Sequence, residues 1–233
     1  EKVELCGGVL LGQFSVLTAA RCLYQESDIQ PYNFYKYLPV RALYIHEQFC
    51  PDRHNNDLAL LELTQPLTFS STLIHLCLPT KDFSENILMH PGKMGITRSQ
   101  GASQIQKLSY MMLDDCRITM NISHQLSNKM FCMKKNRATR RCNGSLGKQT
   151  AESLAVDRNL TITRQCGHLL PGMPVATVDR GTVFLTGLLT SSSTDCDGLV
   201  FTKLSRYLSW IKSRLEESGG KGFCLLTTSF WCW

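Results

Sequence analysis

Residues 16–22 read Val-Leu-Thr-Ala-Ala-Arg-Cys, an apolar stretch that ends in a charged residue and a cysteine. It belongs to a run of strand-forming residues, 14–20, that ends in two alanines immediately before Arg21. A guanidinium stays protonated at physiological pH, so Arg21 cannot accept a proton as a histidine can. A permanent cation therefore follows this predicted strand.

Short apolar runs of strand length recur along the chain. They are separated by Gly, Pro, Asn or Asp, which favour turns. The runs are residues 9–11, 14–20, 40–45, 58–63, 183–189 and 199–202. Many short strands with turns between them indicate an all-β sandwich or barrel.

One helix is predicted, at residues 203–218. An apolar stripe with helical spacing runs through it, formed by Leu204, Tyr207, Leu208, Ile211 and Leu215. The pair Gly219-Gly220 ends the predicted helix.

The cysteine content indicates an oxidising compartment. The 233 residues include 11 cysteines, many for a cytosolic protein, and the odd number means that at least one thiol is free or pairs outside the chain. No Cys-x-x-Cys pair and no Cys/His cluster with zinc-ligand spacing occurs, so we predict no metal site. Glycosylation sequons begin at Asn121, Asn143 and Asn159 and are compatible with secretion.

The net charge is mildly positive, +6, and its densest cluster is residues 134–141. Such a cluster can bind a polyanion or an acidic membrane surface. A solvated surface loop is favoured, because no aromatic residues alternate with the charges as base stacking requires, and we predict no nucleic-acid partner. No apolar run is long enough to span a bilayer. The start at Glu1-Lys2-Val3 predicts a segment of a longer protein.

Several blocks occur in the order found in the trypsin-like serine proteases. They are Leu5-Cys6-Gly7-Gly8-Val9-Leu10, Thr18-Ala19-Ala20-Arg21-Cys22, Asn56-Asp57-Leu58-Ala59-Leu60-Leu61, Cys77-Leu78-Pro79, Met130-Phe131-Cys132 and Thr202-Lys203-Leu204-Ser205. Over residues 5–215 the chain resembles this family. The resemblance implies an all-β fold of two six-stranded antiparallel β-barrels with a C-terminal helix, with the first strand of the N-terminal barrel missing.

The resemblance also implies how the chain is divided. Residues 1–90 form the N-terminal barrel half, truncated at its start, and residues 91–218 form the C-terminal half with the helix at 203–218. Both halves belong to one protease-like domain. Residues 133–165 are polar and basic with little periodicity, so we expect an atypical insertion there. Residues 219–233 form an unmatched tail.

The resemblance places the catalytic positions at Arg21, Asp57 and Pro171. In the family an Asp orients a His, the His deprotonates a Ser, and backbone N–H groups bind the oxyanion. Here Asp57 is kept, Arg21 stands at the His position and Pro171 at the Ser position. If the match to the serine motif is shifted by one residue, Leu170 or Gly172 stands at the Ser position, and neither is a nucleophile. The resemblance thus implies degenerate positions and no catalytic residue, and we expect Arg21 to pair with Asp57.

Two further positions depart from the family pattern. Leu170 stands where active members carry the acid that pairs with a new N-terminus. Residues 190–192, Thr-Ser-Ser, replace the Ser-Trp-Gly that lines the substrate cleft. The six histidines all lie outside the motif, and we expect surface or structural roles for them: His46, His54, His75, His90, His124 and His168.

The resemblance implies a set of disulfides. The expected intrachain pairs are Cys6–Cys22, Cys116–Cys132 and Cys166–Cys196. Cys77 is expected to form an inter-chain bond with a separate light chain. No partner is assigned to Cys50, Cys142, Cys224 or Cys232.

Within the family, residues 76–85 resemble the linker of the vitamin K-dependent clotting group. That group includes an inactive member of blood plasma, which implies a secreted pseudoprotease that serves as a cofactor for a serpin and, through it, acts on factor Xa. Calcium, γ-carboxyglutamate and membrane contacts are expected only in N-terminal modules outside this chain, so no cofactor is expected here. The alternatives are a secreted trypsin-like endopeptidase of the clotting group and a heparin-binding module that uses residues 134–141.

Overall fold

The computed structural model describes residues 6–24, 39–70, 75–98, 105–136 and 169–217. Its strands are β1 (Gly8–Leu10), β2 (Ser15–Thr18), β3 (Val40–Ile45), β4 (Ala59–Leu63), β5 (Met94–Arg98), β6 (Ile105–Met111), β7 (Met130–Lys135), β8 (Pro174–Asp179), β9 (Thr182–Ser192) and β10 (Gly198–Lys203). Its helices are α1 (Lys81–Phe83), which continues as a π-helix at Ser84–Leu88, α2 (Leu113–Thr119) and α3 (Leu208–Glu217). Short 3₁₀ helices span Ala20–Cys22 and Leu204–Arg206.

The strands form two antiparallel units. Those of the N-terminal half make a four-stranded sheet in the order β1-β2-β4-β3. The other six strands close into a barrel in the order β10-β7-β6-β5-β8-β9. The predicted all-β class with two β units and a C-terminal helix is confirmed. The described part of the first unit supplies four strands, and the boundary at residue 90 stays a prediction.

The apolar runs predict two strands of the N-terminal sheet well. The predicted strand at 40–45 has the bounds of β3, and the run at 58–63 contains β4. Four barrel strands, β5 to β8, are not predicted from the sequence. In β6, the polar Ser109 separates the buried Leu108 and Tyr110, and Ile105 is exposed, so apolar content alone does not mark this strand.

The insertion predicted at residues 133–165 starts before strand β7 has ended. Strand β7 runs to Lys135 and pairs with both neighbours: Met133 lies opposite Leu199 of β10 and Tyr110 of β6. Its backbone hydrogen bonds close the barrel, so residues 133–135 are barrel and not insertion. Residues 137–168 lie outside the described residues, as does the tail at 219–233.

The core joins the two halves to the C-terminal helix. Buried residues of the sheet, the barrel and the helix form one cluster: Val9, Leu11, Leu17, Leu58, Leu60, Leu78, Leu185, Leu188, Leu204, Tyr207, Ile211 and Leu215. Leu208 packs against it, so the predicted apolar stripe is confirmed. The helix at 203–218 is shorter than predicted, because Tyr207 (φ −123°, ψ 7°) interrupts it between the 3₁₀ turn and α3.

Candidate functional site

The site is built around an ion pair between Arg21 and Asp57. Arg21 lies in the 3₁₀ turn after β2, and Asp57 lies two residues before the start of β4, the strand paired with β2. The Arg21 backbone N–H donates to Asp57 Oδ1 at 2.9 Å, and its Nε donates to Oδ2 at 2.5 Å. The Asp57 side chain is 0% exposed and that of Arg21 23% exposed. The expected ion pair is present, with its carboxylate fully buried.

Strand β9 completes the bonding of this carboxylate. Thr190 Oγ1 donates to Asp57 Oδ2 at 2.6 Å, and Thr202 Oγ1 of β10 donates to the Asp57 carbonyl at 3.3 Å. The Asp57 carboxylate therefore accepts three hydrogen bonds, two from Arg21 and one from Thr190. Burial of a charge without such partners is strongly unfavourable.

Asn56 holds the turn that positions Asp57. It has φ 54°, in the left-handed region that asparagine tolerates better than most residues. Its amide nitrogen donates to the Gln48 carbonyl at 2.7 Å, and its Oδ1 accepts from Lys129 Nζ at 2.9 Å and from Tyr207 Oη at 3.1 Å. Burial and the charge of Asp57 raise the pKa of Tyr207, so its hydroxyl stays a donor. Three surrounding segments thus hold the turn.

Pro171 lies on a turn packed against the same region. The Gly7 N–H donates to the Pro171 carbonyl at 2.8 Å, and that carbonyl oxygen lies 3.6 Å from Cys22 Sγ, beside Arg21. The fold therefore brings Arg21, Asp57 and Pro171 together, although they are spread over 150 residues of sequence.

Gly172 makes the close packing of this turn possible. Its φ of +80° suits glycine, and its N–H donates to the Leu189 carbonyl at 2.8 Å. A Cβ at this position would collide with the Gly7 carbonyl and lie 2.7 Å from Thr18 Oγ1. The neighbouring Leu170 is half-buried and packs against the barrel core.

Two histidines, His54 and His124, form a contact that the sequence does not predict. His54 and His124 stack with ring centroids 4.1 Å apart and planes at 13°. His124 Nε2 lies 2.6 Å from Ser191 Oγ, and its Nδ1 lies 3.3 Å from the Gln125 carbonyl. The contact links loops 70 positions apart, and no periodicity or motif marks either residue.

Their surroundings lower the pKa values of both histidines. Burial lowers the pKa of His54 to about 3, and the charges of Arg21 and His124 act in the same direction. Burial is also the main cause of the lowered pKa of His124. Both imidazoles are therefore neutral at pH 7. His46, which packs on Tyr207 and Trp210, also has a pKa lowered by burial.

Two of the expected disulfides are present. Cys6 is bonded to Cys22, and Cys116 to Cys132. Cys77 and Cys196 are disulfide-bonded as well, with partners outside the described residues. The inter-chain bond of Cys77 and the Cys166–Cys196 pair stay predictions. Cys166, Cys142, Cys224 and Cys232 lie outside the described residues, and Cys50 is a half-buried free thiol.

The described residues cover the predicted glycosylation sites and the predicted basic cluster only in part. Asn121 is exposed in the loop after α2, while Asn143 and Asn159 lie outside the described part, so glycosylation stays a prediction. Of the basic cluster only residues 134–136 are described. Within the described ranges no group of three or more His, Cys, Asp or Glu side chains could hold a metal ion. No helix in those ranges has the length and hydropathy to cross a membrane.

Comparison with known proteins identifies the family. Residues 1–147 match the trypsin family. The chain belongs to the trypsin family. Vitamin K-dependent protein C of Oryctolagus cuniculus is 29% identical over 246 residues, which cover 93% of this chain and 48% of that protein. Vitamin K-dependent protein C of Rattus norvegicus is 28% identical over 231 residues, with 93% and 47% covered. This trypsin-family chain thus spans about half the length of these relatives.

Proposed function

We propose that this chain is a catalytically inactive member of the trypsin family. The observation that carries the proposal is the ion pair between Arg21 and Asp57. In active members a histidine at the position of Arg21 takes the proton of the serine. A guanidinium cannot do so, and here Arg21 donates to both oxygens of the carboxylate that would orient such a base, from its backbone N–H to Oδ1 and from Nε to Oδ2.

The turn at Pro171 supports the same proposal. Proline has neither a side-chain hydroxyl nor a backbone N–H, so it can serve neither as nucleophile nor as oxyanion donor. The next N–H, of Gly172, already donates to the Leu189 carbonyl. A tetrahedral intermediate would therefore meet neither an attacking oxygen nor a preorganised donor from these two residues.

The proposed role is that of a binding cofactor. Residues 181–189 and 203–207 resemble protein Z, the inactive plasma member of the vitamin K-dependent clotting group. By this resemblance the partner is a serpin, the protein Z-dependent protease inhibitor, and through it factor Xa. Holding inhibitor and target together raises their effective concentration without any catalysis.

The similarity to vitamin K-dependent protein C supports membership in the clotting group. Because the chain spans about half of those relatives, we assign calcium binding, γ-carboxyglutamate and membrane contact to modules outside it. Its disulfides are typical of an oxidising compartment and support secretion into plasma. This chain itself would supply the face that binds the serpin and would need no cofactor.

A secreted trypsin-like endopeptidase is the competing function, favoured by family membership alone. A serpin distinguishes the two, because it traps an active serine protease as a covalent acyl complex that survives denaturing electrophoresis. The experiment incubates this chain with the protein Z-dependent protease inhibitor and measures binding by surface plasmon resonance. The proposal predicts reversible binding and no denaturation-resistant complex, with factor Xa as the positive control. A covalent complex with this chain, or no binding at all, contradicts it.

A further inference from the structure

Three basic side chains from three separate segments meet beside the ion pair. Arg21 comes from the 3₁₀ turn after β2, His54 from the loop between β3 and β4, and His124 from the loop between α2 and β7. His54 and His124 are stacked at 4.1 Å. The Arg21 charge acts on both imidazoles and lowers the pKa of each. We call these three residues the basic triplet.

Two polar atoms of the basic triplet are buried and lack a hydrogen-bond partner among the described residues: Arg21 Nη2 and His54 Nδ1. Arg21 Nη2 can only donate. His54 Nδ1 accepts in the neutral ring that carries its proton on Nε2, and it donates when the ring is protonated. Leaving such buried groups unpaired is unfavourable, so this arrangement favours a small polar ligand.

The negative charge next to the basic triplet, that of Asp57, is already paired. Asp57 accepts from Arg21 and from Thr190, and the β9 groups that face the histidines are neutral: the Thr190 backbone, whose hydrogen bond raises the pKa of His54, and the Ser191 hydroxyl. A proton added to either ring is therefore repelled by the charge of Arg21. Once the other ring is protonated, that ring repels it as well. An added anion would balance this excess positive charge.

The histidines have different roles in this arrangement. Both nitrogens of His124 already lie near oxygens, those of Ser191 and Gln125, so a protonated His124 keeps its neighbours and supplies charge. His54 Nδ1 is the unpaired atom and would become a second donor beside Arg21 Nη2. His54 and Arg21 would contact the ligand, and His124 would act by position and charge.

We propose that Arg21, His54 and His124 form a binding site for a small oxyanion, whose affinity rises as the histidines take up protons. The anion accepts from Arg21 Nη2 and from protonated His54 Nδ1. Binding and protonation are linked, so each favours the other. This site is separate from the proposed serpin-binding role and does not depend on it.

The test measures sulfate binding by isothermal titration calorimetry at constant ionic strength, at pH 7.5 and pH 5.0. The expected result is about tenfold tighter binding at pH 5.0, which lies within the limit of tenfold per pH unit that one linked proton allows. His54→Gln and His124→Gln should each lose most of this difference. His90→Gln, a substitution of an exposed histidine, is the matched control and should retain it.

Equal affinity at the two pH values overturns the proposal, as does an unchanged pH dependence in the His54→Gln/His124→Gln double variant. Circular dichroism establishes whether each variant is folded. If the variants do not fold, histidine ring resonances of the unmodified chain replace them. Sulfate should then raise the pKa of two histidines, and sulfate that leaves every histidine pKa unchanged contradicts the site.

Discussion

Arg21 binds Asp57 twice, through its backbone N–H and through Nε, so the main chain and the side chain of one residue occupy both oxygens of a fully buried carboxylate. The double contact fixes the 3₁₀ turn after β2 against β4 and makes the pair part of the core.

The Arg21→Ala variant should be strongly destabilised. Removing one partner of a buried pair leaves an uncompensated charge on Asp57, which typically costs about 3–5 kcal/mol. Because Arg21 is 23% exposed, the lower end of that range is expected. Urea unfolding measures the loss, with Arg180→Ala as control, since that side chain is 88% exposed. A loss no greater than that of the control shows that the pair does not stabilise the fold.

Thr190→Val should destabilise the chain more than Thr202→Val. The two substitutions have the same size, and each removes a hydroxyl bonded to Asp57. Thr190 donates to the charged carboxylate at 2.6 Å, whereas Thr202 donates to the backbone carbonyl at 3.3 Å. Hydrogen bonds to charged groups contribute about 1.5–3 kcal/mol and neutral ones about 1 kcal/mol. Chemical denaturation in parallel checks the order, and a reversed order is inconsistent with a charged Asp57.

Gly172→Ala should lower the stability of the fold more than Gly92→Ala does. Both glycines have positive φ, +80° and +85°, so alanine is strained by about 1–2 kcal/mol at either position. Only at Gly172 does the added Cβ meet backbone, at Gly7 and Ala19, because nothing lies within 4 Å of it at Gly92. Thermal unfolding compares the two variants. Equal shifts in Tm would mean that the Pro171 turn is not held against β2.

Stability should fall as the pH is lowered from about 6.5 towards 3. The pKa of His54 is lowered to about 3, and that of His124 is lowered too, so the unfolded chain binds more protons than the folded one in this window. Each such proton changes the free energy of unfolding by up to about 1.4 kcal/mol per pH unit. His54→Gln should flatten the dependence measured by urea unfolding at pH 7, 6, 5 and 4. A slope in this variant equal to that of the unmodified chain and of His90→Gln would refute the assignment.

The sequence predicts the parts of this molecule that depend on local pattern. The apolar run at 40–45 gives β3, and the helical stripe gives α3, because burial of one face imposes a period on the sequence. The pairing of Arg21 with Asp57 follows from motif positions and the need of a buried acid for a partner. Barrel strands such as β6 are missed because polar residues interrupt their apolar content, although Leu108 and Tyr110 are buried and both neighbouring strands pair with β6.

The His54–His124 contact shows what the sequence does not contain. It depends on the approach of two loops from different β units, and neither loop has a periodic pattern. The left-handed backbone of His54 (φ 55°) places the ring, and nothing in its neighbours reveals that conformation. Contacts of this kind require the packed structure, which is why the basic triplet was not predicted.

Reaction with a fluorophosphonate probe shows whether this chain has lost catalysis. The probe forms a covalent bond with the activated serine of a working serine hydrolase, and trypsin treated in parallel provides the positive control. Because Arg21 replaces the base and Pro171 the nucleophile, the folded chain should show no labelling above that of a heat-denatured sample. Stoichiometric labelling of the folded chain at any serine, abolished by denaturation, would contradict the account.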